Sequence, residues 1–93
     1  MIVLSVEVSL RLYDSFSLKD KRSVVKSMLK RLSNRHNVSV AEVGSLDRQN
    51  EARIGLAVVG NQRKICEQVL QQCLNEIETE YAVEITSVEW NRE

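Results

Sequence analysis

Proline is absent from this chain, glycine occurs three times, and aromatic residues make up 4% of its 93 residues. With no proline to interrupt them, helices and strands can run to lengths set by their own hydrophobic patterns. No glycine-rich loop follows a strand in the manner of a phosphate cradle. Cysteine is scarce too, and no Cys-x-x-Cys occurs. Cys66 and Cys73 fall within one helical pattern, about 10 Å apart along its axis and beyond the reach of a disulfide. Their expected role is that of small core hydrophobes in a reducing compartment. No apolar run approaches the ~20 residues of a membrane helix. Met1 to Glu7 breaks too early for a signal peptide, and the cytoplasm is the expected compartment. An excess of charge of either sign is lacking as well. The 13 Lys and Arg match 13 Asp and Glu, so only the distribution of charge can point to a partner.

What is present is a clear succession of periodicities. Residues 1–13 alternate, with Ile2, Leu4, Val6, Val8, Leu10 and Leu12 on one side and Val3, Ser5, Glu7, Ser9 and Arg11 on the other, the pattern of a strand with one face in the core. Ser17, with Asp20 three residues on, forms a capping box in which Asp replaces the usual Glu. From there Leu18, Val24, Val25, Met28, Leu29 and Leu32 share one side of a helix that extends to about Arg35. Residues 38–43 predict a second strand, 45–51 a polar and mobile hairpin loop, and 52–60 a third strand. Asn61 is the expected N-cap of a second helix that carries Ile65, Cys66, Val69, Leu70, Cys73, Ile77 and Tyr81 on its apolar face and runs to about Glu80. In the last strand, 83–90, the apolar phase changes between Ile85 and Val88, which places a bulge near Thr86 and Ser87. The chain is short enough to expect one domain over residues 1–93. The order β-α-β-β-α-β is that of the ferredoxin-like α+β sandwich, a four-stranded antiparallel sheet with two helices on one face.

The opening Met1-Ile2-Val3, the segment from Ser17 through Lys19-Asp20-Lys21-Arg22 to Ser27, Asn37 to Val43, and Gly55-Leu56-Ala57-Val58-Val59 together resemble the YlxP-like family of uncharacterised bacterial proteins. That resemblance implies a ferredoxin-like fold and carries over no catalytic residue. The family's genes often lie among those for translation and ribosome maturation, which implies an RNA-linked or ribosome-linked role by association. Where relatives carry an aromatic in the loop, residues 44–52 here contain none.

The uneven feature of this neutral chain is the first helix. Lys19, Arg22, Lys26 and Lys30 fall on a strip about 80° wide. Lys21 is expected to assist them, and Arg31 and Arg35 add positive charge elsewhere, against the single acid Asp20. The steps Arg22 to Lys26 and Lys26 to Lys30 each cost roughly 0.2–0.5 kcal/mol as like-charge i, i+4 pairs. Two readings are open: a solvated face paired with acids from elsewhere in the fold, or a surface for a phosphate backbone. Cations at the amino-terminal end oppose the helix dipole, which favours the second.

The sheet face away from the helices is the other candidate surface. Val3, Ser5, Ala57 and Val59, with Glu7, Ser9, Gly55, Ala41 and Val43, are expected there. Without an aromatic this face does not stack bases as an RNA recognition motif does; its small apolar residues suit a homodimer or a partner interface. Catalysis is not expected. His36, the one histidine, is placed to cap or pack, no cluster has metal-ligand spacing, and no cofactor is implied. Ferredoxin-like acylphosphatases carry a glycine-rich loop with an arginine after the first strand, and Tyr13 to Ser17 has neither.

Overall fold

A computed structural model describes residues 1–92. The elements are β1 (Ile2–Leu12), α1 (Leu18–Arg35), β2 (Ser39–Gly44), β3 (Glu51–Gly60), α2 (Arg63–Glu80) and β4 (Val83–Arg92). The strands form one antiparallel sheet in the order β2-β3-β1-β4, the ferredoxin-like arrangement. α1 lies over β2 and β3, and α2 over β3, β1 and β4. Leu4, Val6, Val8, Leu10 and Leu12 of β1 face the helices, as do Ala52, Ile54, Leu56 and Val58 of β3, all of them buried. Val25, Met28 and Leu32 meet them from α1, and Cys66, Leu70, Cys73, Leu74 and Ile77 from α2. Each such aliphatic side chain withdrawn from water contributes roughly 1.5–3 kcal/mol.

Two bulges shape the sheet edges. On β4 the register passes from Ser9↔Ser87 to Leu10↔Ile85, leaving Thr86 as the extra residue where the change of phase predicts it. Its hydroxyl donates to the Ser9 carbonyl over 3.2 Å. On β2 the register passes from Glu42↔Ile54 to Gly44↔Arg53. The extra Val43 leans over Gly55, where an added Cβ would come within 3.0 Å of a Val43 methyl.

The caps divide in their outcome. Ser17 caps α1, its hydroxyl accepting from the Asp20 N–H over 3.0 Å. Asp20 reciprocates by accepting from the Phe16 N–H over 3.2 Å. Asn61 does not cap α2; Gln62 occupies that position and makes no side-chain cap hydrogen bond. The apolar face of α2 also needs correction, since Ile65 is exposed and Leu74 buried. Counted from the mean direction of the five buried side chains Cys66, Leu70, Cys73, Leu74 and Ile77, Leu74 lies about 55° away and Ile65 about 125° away. His36 is the C-cap of α1, its N–H donating to the Leu32 carbonyl over 3.0 Å. Among the described residues no helix is long and apolar enough to cross a membrane.

Candidate nucleic-acid interface

The side chains that bury α1 decide where its cations go. Lys21, Val25, Met28 and Leu32 make up the buried sector, and Lys19, Arg22, Lys26 and Lys30 lie outside it, all exposed. On the other flank Arg31 sits over the Tyr81 ring at 5.7 Å. Arg35 donates to both Glu80 oxygens at 2.8 and 3.1 Å and lies 3.4 Å from Glu76. These contacts hold that flank against α2 and its C-cap, Tyr81. They also raise the Arg35 pKa, chiefly through the Glu80 hydrogen bond. The four-residue strip therefore faces outward on the side away from α2.

Arg11, Lys21, Arg35, Arg48 and Arg53 all meet carboxylates. By contrast none of Lys19, Arg22, Lys26 and Lys30 makes an ion pair among the described residues. The strip spans about 16 Å, and its i, i+4 steps advance about 6 Å, comparable with neighbouring phosphates on one strand. Ser23 and Ser27, both exposed, line one edge, so hydroxyl donors accompany the cations there, whereas the Ser33 hydroxyl donates to the Lys30 carbonyl over 3.0 Å.

Lys21 departs from expectation. Expected to assist the strip, it is fully buried and lies outside that surface. Its Nζ donates to Glu42 Oε2 over 2.6 Å, to the Ser45 carbonyl over 2.9 Å and to the Leu46 carbonyl over 3.3 Å. All three ammonium donors are used, which is the condition for burying this charge. Glu42 can answer it because it points from β2 to the helix side, beside Val40.

The loop between β2 and β3, expected to be mobile, is thereby anchored. Ser15 Oγ donates to the Gln49 carbonyl over 2.6 Å, and Ser45 holds a left-handed φ of 56° at the start of the turn. Tyr13, Phe16 and Leu46 stand in the loops at this end of the molecule, Tyr13 on the β4 side, where its N–H donates to the Ala82 carbonyl over 3.1 Å. They are 59%, 80% and 54% exposed. Sequence patterning passed over this tip, although it held a signal. Phe16 precedes the N-cap, and its usual apolar partner in a hydrophobic staple, four positions into the helix, is Lys21.

The open sheet face carries the residues expected on it. Val3 pairs with Val59, Ser5 with Ala57, and Ser39 with Ala57 from the other side. Val3, Val43 and Val59 are exposed around a shallow depression lined by Ser5, Ala41, Gly55 and Ala57. Towards β4 the face becomes charged. Arg53 reaches Glu7 at 3.1 Å, Ser9 Oγ at 2.7 Å and Glu89 at 2.9 Å. His36 Nε2 lies 3.1 Å from Glu76 Oε1, a packing contact between helix ends. Among the described residues no group of three or more His, Cys, Asp or Glu could hold a metal ion.

Residues 3–90 match the family described as "Protein of unknown function (DUF503)". The chain is also 40% identical over 81 residues to "Uncharacterized protein YlxP" of Bacillus subtilis (strain 168), a match covering 85% of this chain and 88% of the relative.

Proposed function

Since this chain belongs to the DUF503 family of proteins of unknown function, we propose from its geometry that it is a non-enzymatic cytoplasmic accessory protein. It binds RNA or a ribosomal particle through Lys19, Arg22, Lys26 and Lys30. The observation that carries this reading is that four aligned, exposed cations have no acid partner among the described residues, in a chain of zero net charge that pairs other cations across its surface. A phosphate backbone relieves their mutual repulsion and contributes affinity through counterion release. Contacts of this kind position a ligand without reading its sequence. Co-sedimentation with ribosomal subunits across a salt series tests it. Four neutralised phosphates give a slope of about −3 to −4 in log affinity against log salt, and reversal of charge in R22E/K26E abolishes association. Binding indifferent to both changes refutes the strip as the interface.

A second reading rests on the exposed Val3, Val43 and Val59 around the depression on the sheet face. There the partner is a second copy of the chain, packed sheet to sheet. Val59→Glu and Val3→Glu dissociate such a dimer in sedimentation; a wild-type monomer at high concentration excludes it.

A further inference from the structure

The strip does not end in solvent. Beyond Lys19 the surface changes character, from cations to the exposed Phe16 and Leu46, with the exposed carboxylates of Asp14 and Asp47 in the same two loops. We infer that this tip receives an unpaired base, stacked on the Phe16 ring, from an RNA whose backbone lies along the strip. The inference rests on the strip reading and specifies its ligand: a duplex or stem continuing into a single strand.

Three observations converge on it. First, the exposed Phe16 ring lies one residue before the N-cap of the helix whose strip of cations has no acid partner among the described residues, and an aromatic face next to a phosphate-binding surface is how unpaired bases are held. Second, Phe16 has no packing role to explain it. The residue it would staple against is Lys21, which is drawn inward to Glu42 and the loop carbonyls, so the ring stays 80% exposed. Third, Asp14 and Asp47 repel a continuing phosphate backbone while they accept hydrogen bonds from base amino groups. The backbone is therefore turned away at the point where the aromatic surface begins. The tip is held in place for this purpose by the Ser15 bond to the Gln49 carbonyl at 2.6 Å and by the Phe16 N–H bond to Asp20 at 3.2 Å.

Fluorescence anisotropy of the full chain with two labelled probes is the test: a short blunt RNA duplex, and the same duplex bearing an unpaired extension on either strand end. The wild-type chain binds the extended probe more tightly. Phe16→Ala lowers that affinity by about 5- to 100-fold and leaves the blunt duplex and the salt slope unchanged, Phe16→Trp retains it, and Lys26→Glu weakens both probes together. Because Phe16 is already exposed, its loss does not compromise folding. Equal affinity for the two probes, or equal losses with Phe16→Ala, overturns the inference and leaves the strip reading standing. A chain that binds neither probe overturns both. Should Phe16→Ala spare both probes yet release the chain from ribosomal subunits, the tip is a protein contact and the stacking inference is wrong.

Discussion

Lys21 shows how one residue can separate local pattern from tertiary outcome. By composition it belongs with the other cations of α1, and its burial follows from Glu42, twenty-one positions later, facing the same side of the sheet. No local signal carries that pairing, and composition alone groups the residue with the strip. Breaking a buried pair on one side strands the other charge, so Lys21→Met should destabilise the fold by about 3 kcal/mol in denaturant titrations. Lys21→Met/Glu42→Leu should recover part of that loss but not all, because the Ser45 and Leu46 carbonyls stay without their donor.

Cys73 makes a second prediction at the same scale. Burial pushes its thiol up to about 11 from 9.0, with Glu76 adding to the shift. The unfolded chain releases this proton first as pH rises, so the stabilisation is complete below pH 9 and is lost as pH climbs to about 11. Stability measured across that window should fall, and less steeply in Cys73→Ala. At neutral pH the native thiol should resist thiol reagents until the chain unfolds. Its place in the core was legible from helical spacing alone.

At the scale of elements, the strands were the most legible. Period-two alternation assigned both faces of β1, and the phase change after Ile85 located the bulge at Thr86, because a single inserted residue moves every later side chain to the other face. α2 was less legible at its start. Its cap position holds Gln62, its first turn has no acid, and Arg63 and Lys64 oppose the dipole there. Tertiary packing, not capping, starts this helix. Gln62→Asp should therefore raise stability by about 1 kcal/mol, seen as a higher denaturation midpoint, with no change in RNA binding. α1 presents the reverse case. Lys26→Glu converts two repulsive i, i+4 pairs, with Arg22 and Lys30, into attractive ones, and should stabilise the chain by about 1–2 kcal/mol while weakening association with ribosomal subunits. A gain in stability joined to a loss of binding separates a functional strip from a merely solvated one.

Over the whole molecule, zero net charge conceals a division of labour. The cations of the α2 flank and of the sheet face are neutralised in place by Glu76, Glu80, Glu7 and Glu89, and those on the outer side of α1 are not, among the described residues. The strip's existence was legible in the sequence; its freedom from partners was not, since that depends on where acids from other elements lie. The tip was hidden for a similar reason, for only the folded chain brings the loop after β1 beside the loop after β2.

The two ends of α1 are fastened by different chemistry, Lys21 to the edge strand and its loop, Arg35 and His36 to α2. A cylinder pinned at both ends cannot roll about its axis. The helix that carries the row is therefore a fixed mount, on which only the exposed side chains adjust to follow a ligand. On the proposed reading, polyanions with phosphates at another interval meet that mount out of step, so a preference for RNA over other polyphosphates would come from its rigidity, with no base being read along the strip.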